Sequence, residues 1–417
     1  MPIFSSLSYL EKNRYAPRQI LNTPNGNMGM VVVIPCYNEH KLIRTLESLA
    51  TCQVPPIEIE VIVVLNASER SRSEVLTQNE KTFEEARTWN KSRCPFFPLH
   101  LLNFPSLRHK HAGVGLARKI GMDEAVDRLE QAGYPEGVIV CLDADSQVEP
   151  SYLSSIWNHF QHHPKCPACS IHFEHPLSGD EFPEQVYDGI IQYELFLRYY
   201  LEGLRYAGYP YAYHTIGSSM AVRSSAYQAE GGMNRRKAGE DFYFLHKFTP
   251  NPHFGEVHDT CVIPSPRSSD KVPFGTGRAI QQWLAKPTEF MEGYHPIIFQ
   301  ELKAFMEQLP DLYKEELKLP QGALATFLEQ ENFSEQVQTA RKHVRSADSF
   351  PKRLLQWLDP LKVLKYVHFA RDNAYPNLML PESVEVLGSW LKIEKREKME
   401  VQDWLLKFRS RQRKAHY

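Results

Sequence analysis

The chain has 417 residues, of which 42% are hydrophobic, 24% charged and 12% aromatic. That is globular composition, and it excludes collagen-like, low-complexity and broadly disordered readings. Lys plus Arg number 48 against 50 Asp plus Glu, so no net field recruits nucleic acid or an anionic membrane.

The start, Met1-Pro2-Ile3-Phe4-Ser5-Ser6, lacks the basic and apolar regions of a signal peptide. The first strong signal is Met30-Val31-Val32-Val33-Ile34-Pro35. A short run that is apolar at every residue and β-branched predicts a strand covered on both faces. Leu42, Leu46 and Leu49 then recur at helical spacing within residues 39–50. A second strand follows over Glu58-Ile59-Glu60-Val61-Ile62-Val63-Val64-Leu65. Strand, helix and strand in this order form a βαβ unit, which predicts a right-handed crossover in a doubly wound sheet. Residues 112–129 read as another helix, and Val138-Ile139-Val140-Cys141-Leu142 as another buried strand. Ligands of such sheets sit beyond the carboxyl ends of the strands. Chemistry is therefore sought at Cys36 to Glu39, Asn66 to Ser68 and Asp143 to Ser146.

From about Ala279 strand-like runs give way to amphipathic helical stretches separated by proline. The last carries Val401, Trp404, Leu405 and Phe408 on one stripe. It reads as a docked helix with a solvated basic face, with a membrane-surface helix as the alternative. The expected organisation is an α/β domain over residues 1–278 and a helical region over 279–417, the latter serving the acceptor site, oligomerisation or cover for the sheet. No apolar run reaches the roughly 18–20 residues of a membrane helix. The seven scattered cysteines suit thiols in a reducing compartment. The implied location is cytoplasmic, with room for peripheral contact at the inner face of the membrane.

Asp143-Ala144-Asp145 stands where a buried strand ends. Carboxylates at i and i+2 of an extended segment point the same way, and the small residue between them leaves room for a ligand. Their oxygens suit Mg²⁺ or Mn²⁺, which in turn bridges a diphosphate. Farther on, Gly231-Gly232-Met233-Asn234 precedes Gly239-Glu240-Asp241-Phe242-Tyr243-Phe244, an acidic pair opening a helix. Glu240 and Asp241 either complement the helix dipole or supply a general base.

Taken in order, these pieces resemble glycosyltransferase family 2, over roughly Met30 to Gly277. Val33-Ile34-Pro35-Cys36-Tyr37-Asn38-Glu39 is similar to its opening P-x-Y-N-E turn. Val63-Val64-Leu65-Asn66-Ala67-Ser68 is similar to its second nucleotide-binding strand, where the family has an aspartate near Asn66. Gly113-Val114-Gly115-Leu116-Ala117-Arg118 resembles the G-x-x-x-A-R segment, and Asp143-Ala144-Asp145 the D-x-D. Gly217-Ser218-Ser219-Met220-Ala221-Val222 resembles the strand before the G-G turn, and Gly239-Glu240-Asp241 the E-D motif.

The resemblance implies a GT-A fold, an α/β doubly wound mixed sheet with a helical C-terminal extension. It implies a metal-dependent hexosyltransferase that moves a sugar from a UDP- or GDP-type nucleotide sugar to a hydroxyl acceptor. Pro35, Tyr37, Asn38 and Glu39 would lie against base and ribose, Asn66 at the base, and Gly115 and Arg118 beside the nucleotide. Asp143, Ala144 and Asp145 would hold the donor with Mn²⁺ or Mg²⁺. Asp241 would be the base of an inverting transfer, with Glu240 the second choice. The alternatives are a retaining transferase similar to mannosylglycerate synthase and a non-catalytic nucleotide-sugar-binding protein on the same fold. A homo-oligomer is compatible with this reading.

Arg267, Lys271 and Arg278 lie in or beside a polar loop after a predicted strand ending near Ile263, where they can neutralise diphosphate. His258 is a candidate third metal ligand, as is His214. His159, His162, His163, Cys166, Cys169 and His172 contain one C-x-x-C and no second pair at ligand spacing, so they read as packed residues. The aromatic stretch Tyr187 to Tyr213 reads mainly as core.

Overall fold

The computed structural model describes residues 6–286, 288–316, 318, 321–344, 346–394 and 399–414. The first five residues, read above for a leader, lie outside them. Two compact units divide the chain: Met1–Pro176 with Thr215–Arg278, and Leu177–His214 with Ala279–Tyr417.

In chain order the elements are α1 (Ser6–Asn13), β1 (Met28–Cys36), α2 (Leu42–Ala50), β2 (Glu58–Ser68), α3 (Ser73–Arg93), β3 (Leu99–Leu107) and α4 (Val114–Gln131). They continue with β4 (Val138–Cys141), β5 (Gln147–Val148), α5 (Tyr152–His162), β6 (Ala168–Phe173), α6 (Glu184–Tyr206) and β7 (Met220–Arg223). Then come α7 (Ser224–Ala229), α8 (Glu240–Leu245), β8 (Gly255–Ile263) and α9 (Thr276–Ala285).

The first unit is built on one mixed sheet of order β3-β2-β1-β4-β7-β6-β8-β5. β3, β2, β1 and β4 run parallel, with Val33 opposite both Ile62 and Cys141. β7 pairs antiparallel with β4 and with β6, and β8 lies parallel to β6. All nine residues of β1 are buried, as an all-apolar strand covered on both faces requires. Each of Val31, Val32, Val33 and Ile34 contributes about 1.5–3 kcal/mol relative to an exposed side chain. The α/β class, the βαβ start and the mixed sheet followed by helices agree with the sequence. α3 and β3 are additions to that reading.

In the second unit, α6 belongs with helices of the C-terminal half. These are α10 (Ile297–Gln308), α11 (Ala323–Gln330), α12 (Phe333–His343), α13 (Phe350–Trp357), α14 (Pro360–Asn373), α15 (Leu380–Trp390) and α16 (Val401–Lys414). Tyr199 of α6 sits edge-on to Phe299 of α10 at 5.5 Å. The α16 stripe, Trp404, Leu405 and Phe408, is buried in the same core, so this helix is docked on its apolar face. Tyr199 and Tyr209 are buried there too, in keeping with a packing role for the aromatic stretch. No described helix is long and apolar enough to cross a membrane.

Candidate active site

β1 runs into a turn at Tyr37, Asn38 and Glu39, where Asn38 takes φ +47°. An asparagine tolerates this left-handed conformation better than most residues. The turn is tied down from α3. Asn38 N–H donates to Asn79 Oδ1 at 2.9 Å, and Asn79 Nδ2 donates to the backbone oxygen of Asn66 at 3.0 Å. One side chain thus links the ends of β1 and β2. Pro35 is buried within β1, whereas Tyr37 is exposed. Glu39 is buried, and its Oε1 accepts the N–H groups of His40 and Lys41, both at 2.9 Å. Asn66 is also buried, and its side-chain oxygen accepts no hydrogen bond among the described residues.

The Asp143 to Ser146 turn follows β4, closed by Ser146 N–H donating to Asp143 O at 3.1 Å. Thr45 of α2 donates to the backbone oxygen of Ala144 at 2.9 Å. Arg118, in the first turns of α4, is buried between two carboxylates. It pairs with Glu240 at the start of α8 and reaches Asp143 at 2.5 Å. Burial works against the Arg118 charge, yet Asp143 and Glu240 hold its pKa well above the ordinary arginine range. Close approach requires glycine here: a Cβ on Gly115 would meet Arg236 O and stand 2.9 Å from Glu240 Cβ.

Glu240 and Asp241 open α8 after Gly239, whose φ is +69°. Glu240 is buried and engaged with Arg118, while Asp241 is half-buried. Asp241 Oδ1 accepts the Phe242 N–H at 2.8 Å, and its carboxylate also takes a hydrogen bond from the Gly217 backbone. Burial pushes both carboxyls above the ordinary range, and Arg118 draws them back.

The loop after β8 folds onto these strand ends. Arg267 Nη2 lies 2.5 Å from Glu39 Oε2 and 2.7 Å from Asp145 Oδ2. Lys271 donates to Tyr37 O at 2.8 Å and stands 5.5 Å from the centre of the Tyr37 ring. Asp145 is pushed up to about 6, by burial first, with Asp143 and Glu39 adding and Arg267 opposing. Arg278 lies in the first turn of α9. His258 lies on β8 with its ring 6.3 Å from that of His172, and His214 sits 3.4 Å from Gln412 in the second unit.

Residues 31–229 match the sequence model of the family described as Glycosyl transferase family 2. The sequence likeness to that family thus spans just under half of the chain. The match takes in the P-x-Y-N-E, G-x-x-x-A-R and D-x-D segments and ends before Gly239-Glu240-Asp241. The mixed sheet and its helical continuation are the GT-A arrangement that the resemblance implies.

Among solved structures the chain is similar to S. aureus TarS 1–349 in complex with UDP-GlcNAc. Identity is 13%, covering 89% of this chain and 94% of that one at a TM-score of 0.40. It is also similar to the mannosyltransferase PcManGT from Pyrobaculum calidifontis in complex with GDP-Man and Mn²⁺. Identity there is 15%, with 97% of this chain and 92% of that one covered at a TM-score of 0.35. No curated protein matches the chain.

Within the first unit, the sequence points to Glu39, Arg118, Asp143, Asp145, Glu240 and Arg267, and the structure joins them into two charge groups. Arg118 gathers Asp143 and Glu240, and Arg267 gathers Glu39 and Asp145. Sequence reasoning missed Asn79 and Thr82, which hold the Glu39 turn from α3. No local pattern marks them, because two of the four buried positions of α3 are polar.

Proposed function

We propose that this protein transfers a hexosyl group from a UDP- or GDP-type nucleotide sugar to a hydroxyl acceptor, with inversion at the anomeric carbon. The observation that carries the assignment of roles is the Arg118 clamp. Its guanidinium holds the D-x-D turn through Asp143 and the α8 start through Glu240. That clamp fixes Asp241 relative to the donor end of the site. Glu240 is engaged with Arg118 and acts as a positioning residue. Asp241, the more exposed of the two and made more basic by its raised pKa, takes the acceptor proton in its ionised form. The acceptor oxygen then bonds to C1 of the sugar, and the C1–oxygen bond to the diphosphate breaks, its electron pair leaving with the phosphate.

The donor set fits a hard divalent cation. Asp143 and Asp145 offer carboxylate oxygens on one turn, and Asp145 is held at a raised pKa that a nearby cation would lower. Mn²⁺ or Mg²⁺ bound there would supply charge stabilisation for the departing diphosphate. Arg267 and Lys271 add fixed positive charge from the loop. At the base, the buried Asn66 side-chain oxygen is suited to accept a ring N–H.

A panel of nucleotide sugars with Mn²⁺, Mg²⁺ or chelator, read by thermal midpoint and by product anomer in NMR, tests the reading. A metal-dependent upward shift with one nucleotide, lost in Asp145→Asn, and a product of inverted configuration are expected. Retained configuration would overturn inversion. No response to any nucleotide by the folded protein would overturn the transferase reading and its nucleotide-sugar-binding alternative alike.

A further inference from the structure

His172, Glu174 and Cys261 are used by none of the steps above, yet they meet in the first unit. His172 lies near the end of β6, and Glu174 continues its ladder by donating N–H to Val262 O at 2.9 Å. Two residues apart on extended backbone, their side chains share a face. The third member comes from β8 through an irregularity in the pairing. Ile171 stands opposite Val257 and Phe173 opposite Val262, so β8 advances five residues while β6 advances two. The surplus backbone, His258 to Cys261, bulges and carries the Cys261 thiol to the His172–Glu174 pair. Bulges of this kind re-aim side chains. One ligand atom from each of the three residues lies within 4.8 Å of the others. His172 Nε2 and Glu174 Oε1 are 2.9 Å apart. His172 and Cys261 are buried, and Glu174 is half-buried.

We infer that His172, Glu174 and Cys261 bind one divalent transition-metal ion, zinc by the chemistry of the donors. Mixed nitrogen, oxygen and sulfur ligands suit Zn²⁺ and disfavour Mg²⁺, which selects all-oxygen sites. Tetrahedral coordination at ordinary zinc bond lengths spaces its donors about 3.3–3.8 Å apart. The observed separations, 2.9 Å for His172 and Glu174 and no more than 4.8 Å within the cluster, bracket that spacing. The fourth position is left for water or for His258, whose ring lies 6.3 Å from that of His172. Binding ionises the Cys261 thiol and releases its proton to solvent. The ion would cross-link β6 to the bulge of β8. Ile263 ends that strand, and the loop bearing Arg267 and Lys271 begins directly after it.

The test strips the full-length protein with chelator and titrates it with Co²⁺, a spectroscopic stand-in for zinc. One equivalent should give visible d–d bands of tetrahedral intensity and a near-ultraviolet thiolate-to-cobalt band, both removed by added Zn²⁺. Cys261→Ser should lose the thiolate band and His172→Ala the stoichiometric binding, while Asp145→Asn should keep both. If Cys261→Ser does not fold, Glu174→Gln takes its place and should weaken cobalt binding at least tenfold. A wild-type protein with no thiolate–cobalt band overturns the proposal. So does a band that survives in folded Cys261→Ser, or an unchanged affinity in Glu174→Gln.

Discussion

Arg267 Nη2 lies 2.7 Å from Asp145 Oδ2, so a cation from the loop after β8 rests on the second carboxylate of the D-x-D turn. The same nitrogen reaches Glu39. On the proposed reading, Arg267 would compete with the metal for Asp145 and turn to phosphate once a nucleotide binds. Arg267→Ala is expected to tighten Mn²⁺ binding without nucleotide. It should weaken nucleoside diphosphate binding about 10- to 100-fold, the worth of a charge-assisted hydrogen bond. Calorimetric titration of both ligands checks the opposite signs. Weakening of both would mean that Arg267 supports the turn and does not compete.

The raised carboxyl of Asp145 sets a pH dependence. Its pKa is about 6 in the folded chain against an ordinary 3.8. The folded state thus holds this proton more tightly than the unfolded state does. The stabilisation is complete below the ordinary value and is lost as pH rises through about 6. Metal binding has the reverse sign, because it needs the ionised carboxylate. Thermal midpoints measured with and without Mn²⁺ should show a metal shift at about pH 8 that has largely gone at about pH 5. In Asp145→Asn neither trend should remain.

Asp241 and Glu240 are neighbours with different fates. Asp241→Asn removes the proposed base while keeping size and hydrogen-bonding shape. It should lower kcat about a hundredfold to ten-thousandfold and leave donor binding and thermal midpoint near wild type. Glu240→Gln removes the charge buried against Arg118, with a stability cost of about 1–3 kcal/mol. Steady-state kinetics beside thermal denaturation separates the two. Equal losses of activity with no stability difference would return Glu240 to the catalytic role.

The strands that carry the site were legible because β1, β2 and β4 are buried on both faces and carry the apolar runs Met30–Ile34, Val61–Leu65 and Val138–Cys141. α3 and β3 left no such trace. The buried positions of α3 are Asn79, Thr82, Ala86 and Trp89, two of them polar, so apolar periodicity is absent although the helix has 21 residues. β3 is the sheet edge and contains Pro105, which only an edge strand tolerates easily. Reading the site stalled for the same reason. Strand-end carboxylates announce themselves by position, whereas Asn79 acts through α3. Arg267 and Cys261 likewise reach their partners through sheet pairing far along the chain. The grouping of Leu177–His214 with the C-terminal helices rests on α6 packing, which no local pattern records.

That packing has a charged centre. Glu194 of α6 is buried with Arg198, its partner at 2.7 Å on the same helix, and with Arg409 of α16 at 2.6 Å. Replacing both partners of a buried ion pair can be neutral, but removing one leaves uncompensated charge. Glu194→Ala would remove the carboxylate that both guanidinium groups share. The expected loss is about 3–5 kcal/mol. Arg409→Met, which keeps the length of the side chain, still leaves Glu194 paired with Arg198 and should cost less. Chemical denaturation of both variants measures the difference. A smaller loss in Glu194→Ala than in Arg409→Met would show that water enters this centre and solvates the arginines.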